Sequence, residues 1–136
     1  MELHHKVEMK RTIDAFIISR QFVCKNVLVF GHCNATEEML GYLLDNKITV
    51  TAILDNNESK QGGEYKGIKI VSPQYIKQFS NSNTIVLIAN RFFEPMSAQL
   101  GEFGYRGEIV KVVDYNSFAE YSLSNDTIKR KTERML

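Results

Sequence analysis

Three things are scarce in this sequence: an excess of charge of one sign, cysteine, and long apolar runs. The 17 Lys and Arg side chains nearly balance 16 Asp and Glu, which leaves a net charge of +1. Because nucleic acids attract a basic excess, this balance argues against a nucleic-acid partner. Cys24 and Cys33 are too far apart for a CxxC motif. With no apolar run of about 18 residues and no secretory leader, we expect a reduced cytoplasmic protein without a membrane span.

Short catalytic signatures are missing as well. The chain has no G-x-S-x-G elbow, no H-E-x-x-H helix and no G-x-x-x-x-G-K-[ST] phosphate loop. Tyr65 and Lys69 have the i, i+4 spacing of the tyrosine acid and its assisting lysine in short-chain dehydrogenases, but Gly67 and the strand that follows argue against the helix that this pair needs. Cys33, at a predicted helix start, is either a small packed side chain or a reactive thiolate. We expect no catalysis within these residues.

The stretch that organises the chain is 26–36, which has the sequence N-V-L-V-F-G-H-C-N-A-T. Its apolar residues 27–30 end at Gly31, which is typical of a strand buried on both faces of a parallel sheet before a tight turn. Asn34 is placed to accept from the Glu37 amide, and the Glu37 side chain to reach back, as in a capping box. The stretch therefore predicts a strand, a turn and a helix, with ligands bound at the carboxyl edge of the sheet.

Hydrophobic periodicity predicts the other elements. We expect four more strands at 48–54, 68–71, 84–89 and 108–113, and helices at about 12–22, 35–45 and 94–102, with short helices after Ser72-Pro73 and at 117–121. Strands that alternate with helices predict an α/β fold: a doubly wound, mainly parallel five-stranded Rossmann-like sheet in order 3-2-1-4-5, with an extra N-terminal helix.

The domain organisation follows from composition. We expect residues 1–24 to be an N-terminal helical extension, 25–122 the Rossmann-like domain, and 123–136 a basic helical linker or the start of a further domain, the alternative being a solvated terminal helix. The first helix either covers the sheet or makes a dimer or interdomain contact. The adjacent His4 and His5 would point about 100° apart on a helix, which disfavours a shared metal and indicates a solvated tail. No metal site is predicted.

Polar residues that follow the central strands are the candidate ligand contacts. They are Gly31, His32, Cys33, Asn34, Asp55, Asn56, Asn90 and Arg91. Asp55 is close to the spacing of about 20 residues at which dinucleotide-binding folds present a carboxylate to a ribose; the alternative is an acidic residue that only caps the strand. Arg91 is suited to a phosphate or carboxylate, and equally to Asp55 or solvent.

At this point the sequence resembles a known kind of domain. The segment V-L-V-F-G-H-C-N-A-T, followed by V-T-A-I-L-D-N-N-E-S-K-Q-G-G-E-Y-K-G-I-K-I-V-S, is similar to the small Rossmann-like domain of bacterial sugar-modifying enzymes. These are the sialic-acid and bacillosamine type sugar acyltransferases and the polysaccharide nucleotide-sugar epimerase/dehydratase family. Gly31, Asp55, Gly62 and Gly67 match the pattern, while Asn56 replaces a second acid. The resemblance covers about residues 26–115 and implies nucleotide or nucleotide-sugar binding.

Departures from the G-x-G-x-x-G fingerprint weaken the case for a dinucleotide. Cys33 and Thr36 replace its second and third glycines, and Glu37 and Glu38 place carboxylates where a phosphate would bind. Two hypotheses remain. One is a non-catalytic accessory domain of a larger bacterial surface-polysaccharide enzyme, which binds NAD(P) or a nucleotide-sugar and works with an additional catalytic domain. The other is a ligand-free scaffold that forms a homodimer or docks that catalytic domain.

Overall fold

The computed structural model describes residues 1–115, so the predicted elements at 117–121 and 123–136 lie outside the described residues. Its helices are α1 (Leu3–Ile18), α2 (Asn34–Asp45) and α3 (Phe93–Glu102), with 3-10 turns at Pro73–Gln78 and Asn81–Asn83. Its strands are β1 (Asn26–Phe30), β2 (Ala52–Leu54), β3 (Glu64–Tyr65), β4 (Ile68–Val71), β5 (Thr84–Ile88) and β6 (Glu108–Lys111).

The six strands form one sheet in the order β3-β4-β2-β1-β5-β6. The parallel strands β4, β2, β1, β5 and β6 reproduce the predicted order, with Leu28 of β1 paired with Ala52 on one side and Val86 on the other. The prediction of five strands is wrong, because β3 pairs antiparallel with β4 inside a region expected to be a loop. A two-residue turn of Lys66 and Gly67, both with positive φ, forms this hairpin.

The core consists of two layers, one on each face of the sheet. Successive residues of β1 alternate between them, as the strand repeat requires. Val27 and Val29 pack under α1 and α2 with Met9 and Leu40. The other layer contains Leu28, Phe30, Ile76 and Leu100, which come from β1, the 3-10 turn and α3. Helices therefore cover both faces, which confirms the predicted doubly wound α/β arrangement.

The N-terminal helix differs from its prediction. It begins at Leu3 rather than near residue 12 and ends at Ile18. Its inner side carries His5, Met9 and Ile13 at four-residue intervals, and all three are buried. The expectation that His5 belongs to a solvated tail is wrong, since its ring packs edge-on against Tyr115 at 4.5 Å. The helix covers the sheet, the first of its two predicted roles.

Candidate functional site

The turn after β1 requires glycine at Gly31. Its φ is +91°, and a Cβ added there would lie 2.3 Å from the side-chain amide nitrogen of Asn90, which is too close for a real contact. The Gly31 amide donates to the Leu54 carbonyl at 2.7 Å, which joins the turn to the end of β2. The buried Thr36 hydroxyl donates to the Gly31 carbonyl. In the fingerprint, a glycine at this third position lets the helix pack closely on the strand because it has no side chain. Here Thr36 holds the helix to the turn with a hydrogen bond instead.

The start of α2 does not form the predicted capping box. Cys33 is the N-cap, and no side-chain hydrogen bond caps the helix. The Glu37 amide donates to the Cys33 carbonyl at 2.9 Å, while the Glu37 carboxylate lies 2.8 Å from Nε2 of His32. The Glu37 carboxylate is therefore directed towards His32, and Asn34 is exposed. The Cys33 Sγ lies 3.4 Å from the Thr36 hydroxyl.

Asp55 lies beside this turn, as predicted, but both of its carboxylate oxygens already have donors. Oδ2 accepts from the His32 amide at 2.8 Å, and Oδ1 accepts from the Asn57 amide at 2.7 Å. The side chain of Gln61 donates to the Asp55 carbonyl at 2.8 Å. A ribose in the usual dinucleotide pose would compete with these hydrogen bonds, so the carboxylate is suited to holding the two loops together.

Other polar groups close the edge around Gly31. Lys60 donates to the His32 carbonyl at 2.8 Å. Asn56 and Gln99 exchange two amide hydrogen bonds of 2.9 and 2.7 Å, which join the end of β2 to α3. Asn90 lies over Gly31. Internal hydrogen bonds therefore engage the polar groups at this edge, and a dinucleotide in the fingerprint pose would have to compete with them.

Arg91 turns away from the Gly31 turn. Its guanidinium stacks over the Tyr115 ring at 4.6 Å, a cation–π contact. The ion pair with Asp55 that was one expectation does not form between these two residues. Arg91 instead lines a second cavity of about 190 Å³ beyond β5, together with Asn90, Phe93, Glu94, Lys111, Val113, Asp114 and Tyr115. Asn90, which also lies over Gly31, is the residue that this cavity shares with the turn.

A larger cavity of about 400 Å³ opens beside the start of α2. It is lined by Met1, Asn34, Glu37, Glu38 and Tyr65. Burial opposes ionisation of Glu38, but hydrogen bonds from the Met1 amino group and Lys6 outweigh it and lower the pKa of this carboxyl. Glu38 therefore stays charged at neutral pH.

Of the residues that line this cavity, only Asn34 was among the predicted ligand contacts, and Tyr65 is the aromatic wall residue that the sequence prediction missed. Its ring lies 5.2 Å from the His32 ring, and the Lys66 ammonium lies 5.7 Å from its centre. It comes from the edge strand β3, which places it across from α2. The only sequence signal for it is an aromatic residue just before a Lys-Gly turn in an otherwise polar loop.

Two structural absences hold for the described residues 1–115. No helix there is long and apolar enough to cross a membrane. In the same range, no group of three or more His, Cys, Asp and Glu side chains could hold a metal ion.

Comparisons with known proteins bear on the fold and the family. A family model described as "C2185-like, N-terminal" matches residues 23–118. No curated protein matches the chain significantly. The fold is similar to the crystal structure of RSP, a Rex-family repressor, with a TM-score of 0.54 and 13% identity over 90% of this chain and 68% of that one. At this identity, the likeness shows a shared Rossmann-like fold.

Proposed function

The chain belongs to the C2185-like N-terminal family, and from this we propose that it is a non-catalytic ligand-binding domain that serves a larger enzyme. The observation that carries the proposal is the 400 Å³ cavity between Tyr65 and the start of α2, at the carboxyl edge where open α/β sheets bind ligands. The word "N-terminal" in the family description is consistent with an additional catalytic domain. The sequence contains none of the short catalytic motifs considered above, so the proposal assigns no reaction to residues 1–136.

A nucleotide or nucleotide-sugar suits the walls of this cavity best. The Tyr65 ring offers a stacking surface for a base or a sugar. The exposed Asn34 amide and the second carboxylate oxygen of Glu37, whose first oxygen contacts His32, can bond sugar hydroxyls, whereas both oxygens of Glu38 are paired with Met1 and Lys6. Lys66, over the Tyr65 ring, offers a cation for a phosphate. NAD(P) is the weaker candidate, because its usual pose conflicts with the hydrogen bonds of Asp55 and the position of Asn90.

The finer role rests on the sequence resemblance. If the resemblance to sugar acyltransferases and nucleotide-sugar epimerases/dehydratases extends to function, the parent enzyme acts in bacterial surface-polysaccharide biosynthesis in the cytoplasm. The domain would then sense or present a nucleotide-sugar to the catalytic domain. The geometry supports the chemical class of the ligand, and the resemblance supports the biological setting.

A thermal-shift panel tests the proposal on the full 136-residue chain. The probes are UDP, UDP-sugars, CDP-sugars, NAD and NADP. A ligand at 100 times its dissociation constant should stabilise the fold by about 2.7 kcal/mol. Tyr65→Ala should weaken binding of the active probe, because stacking on an aromatic ring contributes about 1 to 3 kcal/mol per base. Phe92→Ala, which removes an exposed aromatic ring outside the cavity, is the matched control.

Two outcomes would contradict the ligand proposal. One is the absence of a shift with every probe at millimolar concentration. The other is a shift that persists unchanged in Tyr65→Ala, because binding would then occur elsewhere.

The second candidate function is a ligand-free scaffold for dimerisation or for docking the catalytic domain. The closed edge around Gly31 favours it, since Asp55, Asn56 and Asn90 all bond within the protein. A scaffold predicts no response to the ligand panel and an assembly that persists when the cavity is altered by Tyr65→Ala.

A further inference from the structure

The outer side of α1 exposes apolar side chains that the sheet does not use. Leu3, Val7 and Ile18 are 76%, 46% and 82% exposed. Together with Arg11 and Asp14 they lie on one side of the helix, because residues three, four, seven and eleven apart share a face. We call these five residues the outer α1 face. It is opposite His5, Met9 and Ile13, which pack on the sheet.

The charged pair at the middle of the outer α1 face is poised for an external partner. Arg11 is exposed and makes no ion pair within residues 1–115, not even with Asp14 one turn away. Asp14 is held in place because its Oδ1 accepts from the Tyr42 hydroxyl at 2.5 Å. One fixed carboxylate and one unengaged guanidinium therefore stand between apolar residues.

We propose that the outer α1 face binds a second copy of this chain, with the two α1 helices antiparallel about a two-fold axis. An alignment that sets Val7 against Ile18 of the partner subunit also sets Arg11 against Asp14 of the partner subunit. Both pairs are centred on the same point, between Thr12 and Ile13. The two-fold axis repeats each pair, so four of the five residues of the face meet a complementary residue of the partner, while Leu3 lies opposite position 22, beyond the end of α1, and stays outside the contact.

Self-complementarity is what favours a second copy over an unrelated partner. A membrane surface would select free basic residues along the apolar stripe, whereas Lys10 beside this stripe stacks over the Tyr42 ring and the stripe itself carries one acid and one base at its middle. A single helix face buries less area than a standard interface, so the dimer is a reversible one. The inference makes the dimer of the second candidate function specific. It stands whether or not the cavity beside Tyr65 binds a ligand.

Sedimentation equilibrium of the full chain, in a concentration series up to about 1 mM, tests the proposal. We expect a monomer–dimer equilibrium. Val7→Asp and Ile18→Asp should each weaken it roughly tenfold or more, since each buries an unpaired carboxylate in the contact. Ala98→Asp, at an exposed position on α3, is the matched control and should leave the equilibrium unchanged. Circular dichroism melts establish that each variant folds.

Charge reversal tests the alignment itself. Arg11→Glu should weaken the dimer, because two carboxylates then face each other, and the double variant Arg11→Glu/Asp14→Lys should recover it. In a background with Cys24→Ser and Cys33→Ser, oxidation of Val7→Cys/Ile18→Cys should give a covalent dimer, and Val7→Cys/Ala98→Cys should not. A chain that is monomeric at every concentration overturns the proposal and leaves this face to a following domain. A dimer insensitive to Val7→Asp and Ile18→Asp overturns it as well.

Discussion

The carboxylate of Asp55 accepts a hydrogen bond from the backbone amide of His32, with Oδ2 2.8 Å from the nitrogen. This contact joins the end of β2 to the turn that follows β1, the neighbouring strand. The other carboxylate oxygen accepts from Asn57, so the buried acid is satisfied without a ligand. Asp55 is therefore part of the framework that shapes the sheet edge, whatever else binds there.

Replacing Asp55 should destabilise the fold. Asp55→Ala removes the acceptor of two backbone amides, and hydrogen bonds to a charged group contribute about 1.5 to 3 kcal/mol. We expect the free energy of unfolding to fall by about 2 to 3 kcal/mol, and by less in Asp55→Asn, which keeps one acceptor oxygen. Urea denaturation measures both. Asn56→Ala, which loses only exposed amide bonds to Gln99, is the control. If Asp55→Ala lost no more stability than Asn56→Ala, Asp55 would not be part of the framework of the sheet edge.

Alanine substitutions at Gly31 and Gly62 should distinguish the cost of backbone strain from the cost of steric crowding. Both have φ near +90°, but a Cβ on Gly62 would meet nothing within 4 Å, whereas one on Gly31 would meet Asn90 and the Met96 methyl group at 2.8 Å. Gly62→Ala should therefore cost about 1 kcal/mol from the left-handed conformation alone. Gly31→Ala should cost more, because Asn90 and Met96 must also move.

The measurement is again the free energy of unfolding in urea. Asn90→Ala in the Gly31→Ala background should recover part of the difference, since it removes the nearest colliding atom. Equal costs at the two glycines would show that the Asn90 side chain does not constrain the turn.

Strands with strong local signals were predictable, and contacts between distant segments were not. β1 and β5 are uninterrupted apolar runs that only a central parallel strand buries on both faces. From their order, the proximity of Gly31, Asp55 and Asn90 follows, because the ends of adjacent parallel strands meet at one edge. β3 has only two residues, one of them Glu64, so no repeat reveals it.

The finer features of the site depend on dihedral angles and tertiary partners. Glu37 was assigned to a cap from its spacing to Asn34, yet it bonds His32, because the turn brings the imidazole ring within reach. His5 was assigned to a solvated tail because His4 and His5, adjacent on a helix, would point about 100° apart and could not easily share a metal. The burial of His5 depends on Tyr115, at the far end of the described chain. The first contact depends on the exact turn geometry and the second on a residue 110 positions away, so periodicity and spacing reveal neither.

Burial of His5 predicts a loss of stability in mild acid. Burial, helped by the nearby positive charges of His4, Arg91 and the amino terminus and opposed by Glu2, lowers the pKa of His5 below its ordinary 6.5. The unfolded chain then binds a proton more readily than the folded one. This part of the stability is present above pH 6.5 and is lost as the pH falls through the lower pKa of the folded state.

His5→Phe tests this pH dependence, because it keeps an aromatic ring against Tyr115 and removes the titrating nitrogen. Unfolding free energies measured from about pH 8 to about pH 5 should fall less in the variant than in the wild-type chain. Identical slopes in the two proteins would contradict a contribution from His5.

Tyr105 predicts a loss of stability in alkali, whereas His5 predicts one in mild acid. Its hydroxyl lies 2.9 Å from the carbonyl oxygens of both Thr84 and Glu108 and joins the starts of β5 and β6. Burial, with a smaller effect of the Glu108 charge, raises the pKa of Tyr105 from 10 to about 12. The phenol of the unfolded chain therefore ionises first. The contribution is complete below pH 10 and is lost as the pH rises towards 12.

Tyr105→Phe should lower the free energy of unfolding at neutral pH by about 1 kcal/mol, since the two carbonyl groups lose a shared donor. It should also lose less stability than the wild-type chain between pH 10 and pH 12, because no phenol remains at this position to ionise on unfolding. Urea midpoints across that range measure both effects. A variant that keeps the wild-type alkaline slope would place the titration on another residue, and the hydroxyl at the β5–β6 junction would then contribute only its hydrogen bond.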